Sequence, residues 1–391
     1  MQEMSALKQS ILKMDDRQIA AILKLAYQNS RQPPGPALAP PALPDTLDAP
    51  WYDQPIAGLD KTCLARLRED KKRLRSGRNV DAKWIRYAET FRRMTFQVPA
   101  IFRAAEKPQQ MYRRLTAFCQ DNDIPGEVME VLLPSLLEYI RTGHCRPVLI
   151  CGEQGCGKTT AFQLLVKQAL DLPVAVIKVP EEDAGHGLTG TCGSYTSADM
   201  GAIGRAMLRE NSPVVGLLFD EIDKAAHSPN HASIDDELLS ITDGSVDSVA
   251  DKYLESVLHG LQYCPVFMTC NNLKQVSPIL ADRCSVIHFP RADPGRLHSI
   301  IQKYARKELN KELYQTIDLD PALLDQGIDQ LIVQNVHSLR KHQQLVEITL
   351  KRAFHQAMCQ PEDQRVAVTR EMLHSAAEEI IGISRRRIGF F

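Results

Sequence analysis

The sequence predicts an α/β fold: a parallel sheet flanked by helices, a smaller helical lid subdomain after it and a helical region before it. Three observations predict it. From residue 147 to about 290, apolar runs at 148–150, 174–179, 214–219, 266–269 and 286–289 alternate with segments suited to helices. The first run breaks into a glycine-rich loop, and Lys158-Thr159 then opens an apolar, helix-compatible stretch. Beyond Pro290 the periodicity turns helical at 296–309, 321–332, 338–358 and 371–380, with one strand-like stretch at 366–369.

Residues 1–30 place Leu7, Ile11, Leu12, Ile19, Ile22 and Leu23 at helical spacing, which predicts a short docking helix or helical hairpin. Residues 31–56 are dense in proline and read as an extended, semi-rigid linker. Residues 57–124 are helical in pattern and locally basic, from Lys61 through Arg66, Arg68 and Lys72 to Arg78, with Trp84, Tyr87, Phe91 and Phe96 following. Basic side chains beside rings fit a nucleic-acid patch; the commoner arrangement is a solvated helix face over a small helical core, since charge runs are frequent on exposed helices. A further helix is expected at 127–142, leading into the first strand. The α/β core is expected over 125–291, the lid over 292–382, and a basic, aromatic tail over 383–391.

Composition sets the bounds. A chain of 391 residues holds two or three structural units, and 44% hydrophobic with 24% charged residues is ordinary for a globular protein. With a net charge of −1, any affinity for nucleic acid or membrane must be local. No apolar run reaches the roughly 20 residues that span a bilayer. Met1-Gln2-Glu3-Met4 does not open a signal pattern, and the ten cysteines lack metal spacing, so they read as small buried hydrophobes of a cytoplasmic protein.

Gly152-Glu153-Gln154-Gly155-Cys156-Gly157-Lys158-Thr159-Thr160 contains the full phosphate-binding pattern G-x-x-x-x-G-K-[ST]. Glycines let backbone N–H groups curl around a polyphosphate, and the helix that follows adds its dipole. Lys158 is expected on the β/γ-phosphates of ATP and the Thr159 hydroxyl on Mg²⁺. About sixty residues on, an apolar strand ends in Asp220-Glu221. Asp220 suits the Mg²⁺ shell, and Glu221 suits a water-activating base. A third strand ends in Asn271-Asn272; an amide there holds the attacking water or reads the γ-phosphate, unless it merely ends the strand. Arg283, just before the last strand, is placed to reach a neighbouring subunit's γ-phosphate.

The order of phosphate loop, Asp-Glu strand, Thr-x-Asn strand, Asp-Arg and helical lid resembles the AAA+ ATPases. Over roughly residues 125–382 the chain resembles in particular the ATPase module of the Lon protease family. The residues that carry the likeness are Gly187 to Gly201, Leu218-Phe219-Asp220-Glu221-Ile222-Asp223-Lys224, and the segment from Asp243 to Glu255. It implies Tyr195 as the aromatic of a substrate-gripping pore loop, Asn271 as the first sensor and Arg283 as the arginine finger. Where the family has Gly-hydrophobic-Arg as its second sensor, this chain has Asn335-Val336-His337, with Arg340 one turn on as the candidate replacement. The likeness extends neither to the family's Ser-Lys peptidase nor to its large N-domain. The expectation is an ATP- and Mg²⁺-dependent ATPase, a homo-oligomeric, hexameric ring that remodels or unfolds a protein partner. The alternatives are a nucleic-acid-associated ATPase using Lys61 to Arg78, and an ATP-dependent scaffold.

Overall fold

A computed structural model describes residues 59–94, 108–182, 187–193, 197–224, 234–243, 249–258, 261–359 and 365–388. The expected N-terminal helix and proline linker lie outside the described residues, as do Tyr195 and residues 389–391.

The described chain forms two compact units. The first comprises the described residues up to Cys119 together with Gly126–Cys151 and Phe162–Ile287. At its centre is a five-stranded parallel sheet. The strands are β1 (Val148–Cys151), β2 (Val174–Lys178), β3 (Gly216–Asp220), β6 (Val266–Cys270) and β7 (Ser285–His288), in the order β2-β3-β6-β1-β7. These are the five apolar runs read from the sequence. Every residue of β1 and β6 is buried, as expected of parallel strands covered on both faces. Phe219, Phe267 and Phe162 fill the core, with the last two rings 5.3 Å apart.

Helix α1 (Lys61–Arg75) and helix α2 (Ala82–Arg93) stand before the sheet, each started by an aspartate. Asp60 accepts the Cys63 N–H at 2.7 Å, and Asp81 accepts those of Lys83 and Trp84 at 2.9 Å. Helices α3 (Pro108–Asp121) and α4 (Gly126–Thr142) lead to β1. Helix α5 (Lys158–Leu164) follows the glycine loop, α6 (Val179–Glu182) follows β2, and α7 (Ala202–Glu210) precedes β3. Helices α8 (Ile234–Thr242) and α9 (Pro278–Asp282) flank a two-residue hairpin, β4 (Ala250–Asp251) with β5 (Ser256–Val257). That hairpin was not predicted, because strands of two residues show no periodicity.

The second unit comprises Gln120–Pro125, Gly152–Ala161 and the described residues from His288 onward. Its helices are α10 (Pro294–Leu309), α11 (Pro321–Val333), α12 (Leu339–Met358) and α13 (Arg370–Ile388), packed around Leu297, Ile301, Ile328, Leu331, Leu345 and Leu350. Asp293-Pro294 and Asp320-Pro321 start the first two as aspartate cap and first-turn proline. The strand-like 366–369 is realised as β9 (Val366–Ala367), paired in parallel with β8 (Ile317–Asp318). The last helix corrects the expected end at 380: it runs to Ile388 through Arg385-Arg386-Arg387. Arginine is a good helix former, and cations complement a helix C-terminus. Among the described residues no helix is long and apolar enough to cross a membrane.

Candidate functional site

In the second unit the glycine loop owes its path to the absence of side chains. Gly155 and Gly157 have φ of +79° and +99°, left-handed values that L-residues rarely adopt. A Cβ on Gly152 would stand 2.5 Å from the Phe289 carbonyl oxygen, and one on Gly155 would stand 2.3 Å from Ser338 Oγ. The Leu339 N–H, at the start of α12, donates to the Gly155 carbonyl at 2.9 Å. Lys158 is buried inside the curl, where its ammonium donates to the carbonyls of Gly152 and of Glu153, the latter at 2.9 Å. Cys156 is buried too, whereas Gln154 and Thr160 are exposed and Thr159 is half-buried. The Glu153 carboxylate is ion-paired with Arg291.

The segment before α12 is shaped by its own cap. Helix α11 ends in a Schellman motif: the Val336 N–H donates to the Leu331 carbonyl at 3.0 Å, and the Asn335 N–H to that of Ile332 at 2.8 Å. Asn335 carries the left-handed φ of +57° that the motif demands. Asparagine thus fills the place where the resembled family has glycine. His337 follows, half-buried, and Arg340 is exposed on the first turn of α12. Sequence reasoning passed over His342. It is fully buried, with Nδ1 3.0 Å from the Ser338 carbonyl, and burial lowers its pKa, which favours the neutral ring.

In the first unit the ends of β3 and β6 are bonded to one another. Thr269 Oγ1 donates to Asp220 Oδ1 at 2.5 Å and accepts the Glu221 N–H at 3.0 Å. One hydroxyl therefore orients both acidic residues. Glu221 has φ of +59°, an uncommon conformation for a side chain of this size, and its carboxylate is 2.6 Å from Lys224 Nζ. Two residues on, Asp223 Oδ2 accepts the backbone N–H groups of both Asn271 and Asn272 at 3.0 Å. The structure thus joins three predicted residues, Asp220, Glu221 and Asn271, through Thr269 and Asp223, to which the sequence reading gave no role. The acidic run Asp220-Glu221-Ile222-Asp223 was the available signal.

Arg283 is the C-cap of α9. Its guanidinium donates to the Leu239 carbonyl at 2.6 Å and lies 3.4 Å from Asp243, so it is engaged with the last turns of α8. The same helix secures the stem of the segment around Tyr195. Buried Glu237 accepts the Leu188 N–H at 2.7 Å and the Thr189 hydroxyl, and lies 2.8 Å from Lys252 Nζ. Asp251 accepts the N–H groups of Gly201, Tyr253 and Leu254; burial outweighs those bonds and pushes its pKa up to about 6.

A parallel strand running into a glycine loop and helix, with acidic and polar residues ending neighbouring strands, defines a P-loop nucleotide-binding protein. Residues 148–291 match the "ATPase family associated with various cellular activities (AAA)", and the chain carries an AAA ATPase domain. It is 27% identical over 182 residues to a Lon protease homolog of Acanthamoeba polyphaga mimivirus, a match covering 46% of this chain and 17% of that protein. Its fold is similar to that of a chain in the S. cerevisiae Hsp104:casein complex in its extended conformation. There the TM-score is 0.51 at 15% identity, over 69% of this chain and 52% of that one. The chain thus spans about half the length of the solved structure it resembles and about a sixth of the curated protein it matches.

Proposed function

We propose that this chain is an ATP-hydrolysing subunit of a homo-oligomeric, hexameric ring that remodels or unfolds a protein partner. The observation that carries the reading is that one chain holds both a complete phosphate loop and an Asp220-Glu221 strand end fixed by Thr269. The loop's left-handed glycines and buried Lys158 suit a triphosphate, whose oxygens compete with the Gly152 and Glu153 carbonyls for the ammonium. Asp220 and the Thr159 hydroxyl are hard oxygen ligands of the kind Mg²⁺ takes. When bound, Mg²⁺ supplies neutralisation of the phosphate charge. Glu221 orients the water that attacks the γ-phosphorus, Asn271 holds that water or a γ-phosphate oxygen, and Lys158 offsets charge on the β/γ-phosphates. Arg283, released from Leu239 and Asp243, completes the neighbouring subunit's site. His337 and Arg340 stand as the candidate second sensor, with Arg340 the stronger phosphate ligand because a neutral imidazole lacks the guanidinium's charge.

The remodelling part rests on the likeness of the segment from Gly187 to Gly201 to a pore loop, and on the clamping of its stem by Glu237 and Asp251. The test is ATP turnover with and without an unfolded polypeptide. The reading expects stimulation by the polypeptide and loss of that stimulation in Tyr195→Ala with basal turnover intact. Equal stimulation of the wild type and Tyr195→Ala would contradict it.

A further inference from the structure

We infer that one face of α1 is a binding site for the phosphate backbone of a nucleic acid. The sequence shows only that the region is basic; the structure divides its cations into two groups. Arg66 is paired with Asp70 and Glu255, Lys71 with Glu89, and Arg73 with Glu69 and Asp70. These cations are occupied, and both acids of the helix are occupied with them. Lys61, Arg68, Lys72, Arg75 and Arg78 are exposed and make no ion pair with any described residue.

The division is geometric. At 3.6 residues per turn, Lys61, Arg68, Lys72 and Arg75 fall within an arc of about 60° along a rod about 21 Å long. Asp70 lies on the opposite side, and Glu69 is turned about 80° from Lys61 toward Arg73. Arg78 follows the helix, after Gly77, whose φ is +74°. The opposite face is the anchored one: Cys63 and Leu67 are buried, and the Arg66 guanidinium lies over the Trp84 ring at 4.3 Å. The basic face is therefore held outward by packing rather than left to a free helix.

A phosphate backbone suits this face better than an acidic protein does. Protein interfaces take their energy from buried aromatic and apolar anchors, whereas this row presents cations, edged only by Ala65 and the half-buried Leu64. A linear series of phosphates is read by charge alone, through release of counterions. The inference is independent of the ATPase reading, since it requires neither nucleotide nor ring.

The test measures binding of the full chain, without ATP, to a labelled 20-mer DNA duplex, its single strand, the same single strand as RNA, and poly-glutamate, over a salt series. For the nucleic acid that binds, log K should fall steeply with log salt. Replacing Arg68, Lys72 and Arg75 by glutamine should lower that slope by about 2 to 3 units, at roughly 0.7–0.9 per phosphate contact, with ATP turnover retained. Absence of binding to all three nucleic acids at low salt would overturn the inference. So would an unchanged slope in the triple variant, or equally tight binding to poly-glutamate.

Discussion

The Asp223 carboxylate holds the backbone N–H of Asn271 at 3.0 Å and, with the same oxygen, that of Asn272. An acid just past the end of β3 thereby fixes the exit of β6, and the direction in which Asn271 leaves the sheet. Asp223→Ala leaves two backbone donors without their acceptor. Each such bond to a charged group is worth about 1.5–3 kcal/mol; with about one bond's worth felt at the transition state through a displaced Asn271, kcat for ATP should fall about 10–100-fold with nucleotide affinity little changed. Asp223→Asn, which keeps an acceptor oxygen, should restore most of the turnover. Steady-state ATPase assays beside fluorescent-nucleotide titration check this; equal losses in both variants would assign the role to charge instead.

Asn335 provides a stability prediction. Its left-handed φ of +57° closes the cap of α11 and sets the path into His337 and Ser338. Asn335→Ala places a less tolerant side chain in that conformation and should cost about 1–2 kcal/mol in denaturant unfolding. Asn335→Gly should match or exceed the wild type.

Glu89 gives the pH dependence. Its hydrogen bonds from Arg92 and then Lys71 pull its pKa down to about 2. A depressed carboxylate contributes stability above its unfolded value, near 4.5, and that contribution is lost as pH falls toward 2. Glu89→Gln should therefore cost about 1 kcal/mol at pH 7, in keeping with a partly screened surface network. The difference from the wild type should shrink between about pH 4.5 and pH 2, as read by unfolding of the N-terminal helices.

Much of the sheet was legible in advance because parallel strands covered on both faces must be apolar throughout, as in Val148–Cys151 and Val266–Cys270. The loop and the Asp220-Glu221 pair were legible because their chemistry demands residue types at set spacings. What escaped was through-space bonding. Thr269 reaches Asp220 from a neighbouring strand, Asp223 reaches Asn271, and Ser338 meets Gly155 across more than a hundred residues of sequence. No local periodicity encodes those meetings. The split of the basic helix into cations paired with described acids and cations that are not was hidden likewise, since Glu255, the partner of Arg66, lies far along the chain.

The central claim is that Glu221 activates water for ATP hydrolysis while Lys158 and its loop bind the nucleotide. Its most direct test is the Glu221→Gln protein, with ATP affinity and single-turnover hydrolysis measured on the same sample. Retained ATP·Mg²⁺ binding with turnover reduced about 100-fold or more is the predicted result. Turnover at the wild-type rate would contradict the account.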